Sequence, residues 1–180
     1  MADIEEDFLS RDHKAKTAFK TPPFIPRRVL KDLGTEKIMG DRYFSRKFMQ
    51  QEWEKVWKKT WHFVMKVSEL DQPGAFYTHE LGKESFLFVR GSDDQIRGFY
   101  NVCRHRGNRL CQVEEGVVNV FTCPYHGWKW NDDGSLKQVA DPQFFRQFDE
   151  GIPEEALGLV PVKVDVWEGW LWFNMDRDSC

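Results

Sequence analysis

Cysteine is scarce in this chain of 180 residues, with four in all, at positions 103, 111, 123 and 180. Cys103 and Cys123 have histidines at close spacing, while Cys111 and Cys180 have none, which is a poor disulfide framework and points to a reducing, cytoplasmic setting. Long apolar runs are missing too. No stretch approaches about 18 apolar residues, and the N-terminus MADIEEDFLS is acidic where a signal peptide would be basic and then apolar. A membrane-spanning protein is therefore not expected. Nor does charge of one sign dominate: 26 basic and 29 acidic residues leave a net charge of -3, which gives no bulk attraction toward nucleic acid or an anionic membrane. What remains is 41% hydrophobic and 15% aromatic, enough for one buried core and thus for one main domain with an extra arm.

The arm is read over residues 1 to about 40, where charged residues alternate with Thr21-Pro22-Pro23-Phe24-Ile25-Pro26, a segment whose prolines favour extended backbone. From Ser45 the pattern turns helical. Phe48, Met49, Trp53, Val56, Trp57 and Thr60 recur at three- and four-residue spacing, and Ser45 is suited to be the N-cap. Phe44 and Met49 are placed to form a hydrophobic staple. A tryptophan stripe of this kind is expected to be core packing, without chemistry of its own.

After Pro73-Gly74 the period shortens toward two, which predicts strands over Ala75 to Leu81, Ser85 to Arg90, Ile96 to Val102 and Val117 to Thr122. Gly82-Lys83, Ser92-Asp93-Asp94 and Asn131-Asp132-Asp133-Gly134 have the composition of chain reversals between antiparallel strands. Val160, Val162, Val164 and Val166 alternate with other residues on what should be one face of a late strand, followed by a turn at Glu168-Gly169. A small antiparallel β structure preceded by one helix is the expectation, with no internal repeat.

Chemistry concentrates in two segments, Cys103-Arg104-His105-Arg106-Gly107 and Cys123-Pro124-Tyr125-His126-Gly127-Trp128. Each supplies one thiolate and one imidazole. That mixed pair, repeated, suits a 2Fe-2S centre in which Cys103 and Cys123 hold one iron and His105 and His126 the other. Glycine after each histidine is expected where backbone must approach the cluster closely. Two alternatives stand beside this reading: structural zinc, whose fingers usually place two cysteines together and then two histidines, and unligated core residues.

The resemblance extends beyond the four ligands. Asn101 to Gly107 with Leu110-Cys111, Thr122 to Trp128 with Asp133-Gly134-Ser135-Leu136, and the approach through Thr60-Trp61-His62-Phe63-Val64, Pro73-Gly74 and Val89-Arg90 resemble the Rieske domain of aromatic ring-hydroxylating oxygenase α subunits. The likeness covers about residues 40 to 175. It implies a mainly β chain, a Rieske-type antiparallel β-sandwich with a cluster-binding hairpin subdomain. Residues 1–43 would form the extended arm, 44–62 the amphipathic helix and 63–180 the 2Fe-2S domain. By the same resemblance, a ferredoxin or flavin reductase would be the electron donor. The acceptor would be a mononuclear iron that activates dioxygen, in a catalytic domain of the same or a neighbouring subunit, and the parent protein would be trimeric.

One departure matters. The family's two-histidine, one-carboxylate iron site has no counterpart, because only His13, His62 and His79 remain and no two of them share the spacing of one helical face. The expectation is a fragment cut near a domain boundary or an unusually short relative, able to carry electrons but not to hydroxylate alone. A stand-alone Rieske ferredoxin is the competing reading. Around the ligands, Arg104, Arg106 and Arg109 form a basic patch suited to an acidic donor, Trp128 is placed to cover the cluster, Tyr125 to tune the site or fill space, and Cys111 to be a buried free thiol. High-potential relatives carry extra loop cysteines and a serine after the second His-Gly. Here Asn108, Tyr125 and Trp128 stand at those positions, which predicts the low end of a class spanning roughly -150 to +300 mV.

Overall fold

The computed structural model of the protein describes residues 34–146 and 151–178. Most of the expected arm, including Thr21 to Pro26 and His13, lies outside the described residues, as does Cys180. Residues 34–39 belong to a first unit that reaches Met39, and they are exposed with no regular structure. Everything below concerns the second unit, Gly40–Cys180.

Ser45 caps the helix as its sequence suggests. Its backbone is extended and its hydroxyl accepts the Phe48 N–H at 3.2 Å, which starts α1 over Arg46–Lys55. The expected staple removes little from water, since Phe44 is 81% and Met49 59% exposed. Only Trp53 of the tryptophan stripe is buried, while Val56 and Trp57 stay exposed, so the stripe is core at one residue only. The helix also ends earlier than its pattern. A separate 3-10 turn, Trp57–Lys59, follows it, and three residues per turn carry the apolar spacing past the last α-helical residue.

Among the described residues ten strands follow, all paired antiparallel: β1 His62–Lys66, β2 Ala75–Leu81, β3 Glu84–Arg90, β4 Ile96–Tyr100, β5 Glu115–Val117, β6 Phe121–Thr122, β7 Lys129–Trp130, β8 Leu136–Gln138, β9 Pro161–Trp167 and β10 Trp170–Asn174. Seven form one sheet in the order β1-β10-β9-β4-β3-β2-β5, and β6-β7-β8 form a second. The run Val117 to Thr122, expected as one strand, is divided between these sheets: β5 pairs with β2, and β6 pairs with β7. Alternation alone cannot show such a switch, because it depends on partners distant in sequence. The reversals form where expected, and Glu168-Gly169 holds positive φ at both residues (52° and 80°), the conformation that matches strand twist in a two-residue hairpin. The valines of β9 grade from buried Val162 to exposed Val166.

Strand β3 explains how the molecule is held together. Phe86, Leu87, Phe88 and Val89 are all fully buried. Phe86 and Phe88 face one core, with Trp53, Leu70, Leu171 and Phe173, whereas Leu87 and Val89 face another, with Phe76, Phe99, Phe121 and Trp130. Each such side chain contributes about 1.5–3 kcal/mol. The second core also contains Cys103, Cys123 and Trp128, so the chemistry-bearing segments rest directly on the sheet.

Candidate metal centre

The two segments expected to carry the ligands are closed six-residue loops with the same backbone bonding. In the first, Cys103 N–H donates to Asn108 O at 2.7 Å and Gly107 N–H to Cys103 O at 2.9 Å. In the second, Cys123 N–H donates to Trp128 O at 2.8 Å and Gly127 N–H to Cys123 O at 3.0 Å. The fifth residue of each is a glycine with left-handed φ, +71° at Gly107 and +72° at Gly127. That φ, which a side chain with a Cβ rarely adopts, is a reason for glycine at both positions, and an added Cβ would meet no protein atom within 4 Å at either. The first loop is anchored by the Val102–Arg109 bridge, and the second by pairing of Thr122 with Lys129.

Closure turns the four expected donors toward one another. Cys103 and Cys123 are buried, at 3% and 1% exposure, and their sulfurs interact. Burial pushes the Cys103 thiol up, opposed by the backbone N–H groups of His105 and Arg106 that reach its sulfur. The His105 and His126 rings lie 4.7 Å apart. His105 Nδ1 is buried with no hydrogen-bond partner, the state expected of a nitrogen whose partner is a metal. Burial lowers the His105 pKa, helped by His126 and Arg106. A two-iron cluster asks two protein donors of each iron, and here two sulfurs and two imidazoles meet in pairs. The donor set therefore fits a 2Fe-2S group.

Aromatic rings cover the histidines. Trp128 is buried and stacks flat on His105, with centroids 4.8 Å apart and planes at 2°. Phe145 meets both rings edge-on, at 5.8 Å from His105 and 5.5 Å from Trp128. Tyr125 does not fill space: it is 60% exposed and lies over the His126 ring at 3.8 Å. A recess of about 240 Å³ beside both histidines is lined by Trp128, Asp141, Phe144 and Phe145. The basic patch is looser than expected, since Arg109 pairs with Glu80 at 3.1 Å, leaving Arg104 and Arg106 beside the cluster loops.

A family model for the Rieske [2Fe-2S] domain matches residues 60–149, half of the chain. The chain belongs to the Rieske [2Fe-2S] domain family. It carries the Rieske 2Fe-2S cluster of that family, and its relatives are oxygenase subunits. The carnitine monooxygenase oxygenase subunit of Acinetobacter baumannii is 37% identical over 137 residues, 76% of this chain and 36% of that protein. The biphenyl 2,3-dioxygenase subunit alpha of Rhodococcus jostii is 31% identical over 83% of this chain and 32% of its own length. Among solved structures, the apo form of a quaternary ammonium Rieske monooxygenase superposes with a TM-score of 0.71 at 35% identity, covering 78% of this chain and 40% of that one. This Rieske domain thus spans about a third of the length of the curated relatives it matches.

Other parts of the Rieske domain were less legible. Asn101, in the motif but assigned no role, is buried and clips the first loop: its amide donates to Cys111 O and Ser85 Oγ, and its carbonyl oxygen accepts Cys111 N–H at 2.8 Å. A polar residue at an inward strand position was the available signal. Phe145 gave none. The Cys111 thiol is half-buried, and burial pushes it up to about 12, so it stays protonated. His62 and His79 both pack against Phe173, with ring centroids at 5.3 and 5.8 Å from it. Among the described residues no helix is long and apolar enough to cross a membrane.

Proposed function

We propose that Cys103 and Cys123 bind one iron of the cluster, that His105 and His126 bind the other, and that the domain relays single electrons within an oxygenase. The bound cluster supplies reversible one-electron chemistry. The residues do the rest. Buried Cys103 and Cys123 keep water from the sulfur end, Trp128 and Phe145 fix the His105 ring, and the histidine edge opens beside Tyr125 and Phe144. That edge is where a ferredoxin or flavin reductase would deliver an electron, with Arg104 and Arg106 steering an acidic donor. The acceptor would be a mononuclear iron in a catalytic domain of the same or a neighbouring subunit, in a cytoplasmic and trimeric parent.

The observation that carries the reading is the pair of identically closed loops that presents two buried sulfurs and two adjacent imidazoles, one with an orphaned Nδ1. A free-standing carrier is less well supported, because α1 offers an apolar groove of about 500 Å³ along Met49, Trp53, Trp57 and Leu81, a surface suited to more protein. The test is iron and sulfide analysis with electron paramagnetic resonance of the reduced protein. Two irons and two sulfides per chain are expected, as is loss or alteration of the signal in His105→Ala and Cys123→Ala and its retention in Cys111→Ala. If Cys111→Ala bleaches the protein as fully as Cys123→Ala, the ligand assignment is wrong.

A further inference from the structure

We propose that Asn108 is a positioning residue for the cluster, whose side-chain amide hydrogen-bonds from the first loop to the Cys123 sulfur of the second and raises the reduction potential. The inference rests on the ligand assignment above. It begins with the sixth residue of each loop. Its carbonyl is committed to the loop's first N–H, so its backbone is fixed and its side chain must leave the loop. Both side chains cross to the other loop's ligand. Trp128 stacks on His105, and Asn108 Nδ2 lies 4.0 Å from Cys123 Sγ.

The orientation of the Asn108 amide follows from chemistry. Nδ2 lies 2.8 Å from Arg109 O, which can only accept, so nitrogen and not oxygen occupies that place. Arg109 is itself held by its bridge to Val102. One amide hydrogen is thereby spent on Arg109 O, and the other is left for the sulfur side. Cys123 is 1% exposed, so water does not compete for its sulfur. A donor at a ligating sulfur stabilises the electron-rich reduced state more than the oxidised state, and the potential rises. The sequence pattern places no hydroxyl after the second His-Gly, yet the first loop supplies an amide donor instead.

The test compares the full cluster-bearing chain with Asn108→Leu by protein-film voltammetry. The leucine variant should keep its Rieske absorption while its midpoint moves negative. An unchanged or more positive midpoint overturns the inference. Should Asn108→Leu fail to hold the cluster, wild-type protein labelled with 15N-asparagine decides. Electron–nuclear double resonance of the reduced state should show hyperfine coupling to an asparagine nitrogen, and its absence overturns the inference. If the wild-type chain lacks a Rieske spectrum altogether, the ligand assignment has failed and this inference goes with it.

Discussion

Gly107 and Gly134 both adopt left-handed φ, at +71° and +85°, yet their surroundings differ. A methyl group on Gly107 meets nothing within 4 Å, whereas one on Gly134 would stand 2.7 Å from Phe99 Cζ, in the core beneath the cluster loops. Gly107→Ala should therefore cost only the backbone strain, about 1–2 kcal/mol. Gly134→Ala adds overpacking to the same strain and should cost roughly 2–5 kcal/mol. Thermal denaturation of the cluster-loaded protein separates the two. Equal losses would mean that the space around Gly107 is filled when the cluster is bound.

Helix α1 meets the sheet in a close fit, with Trp53 against Gly82 in the two-residue turn between β2 and β3. A Cβ on Gly82 would lie 2.6 Å from Trp53 Cζ3, and φ at Gly82 is +60°. Gly82→Ala should loosen the helix from the hairpin while leaving the cluster's absorption unchanged, because Trp53 and the expected ligands Cys103 and Cys123 occupy different cores. Hydrogen exchange should show faster amides over Arg46–Lys55. A bleached cluster in this variant would show that the two cores are coupled. Elements written by local rules were legible in the sequence: the Ser45 cap, the strand Ala75–Leu81, the reversal at Glu168-Gly169, and the two loops that start at Cys103 and Cys123, each closed within six residues. What escaped depends on distant partners. The exposure of Trp57, the division of Val117 to Thr122 between two sheets and the seat of Phe145 on His105 are set by other segments, and no period or motif encodes them.

At the scale of the molecule, β3 is a partition with a core on either side, Phe86 and Phe88 on one and Leu87 and Val89 on the other. The expected ligands belong to one side only. Removing iron from reduced protein with a chelator should therefore unsettle the small sheet β6-β7-β8 and leave the seven-stranded sheet in place. Amide exchange should rise at Phe121–Trp130 and stay slow at Phe86–Val89, with far-ultraviolet circular dichroism largely retained. Collapse of both together would show that the cluster is needed for the whole fold. The loops themselves have a different kind of independence. Each is tied off at its own neck, by the N–H of its first residue and the carbonyl of its sixth, so its shape owes little to the strands that carry it. A fitting that closes on itself is transferable: a hairpin whose ends stand as Cys103 and Asn108 do could carry one, while the site itself needs two such loops face to face.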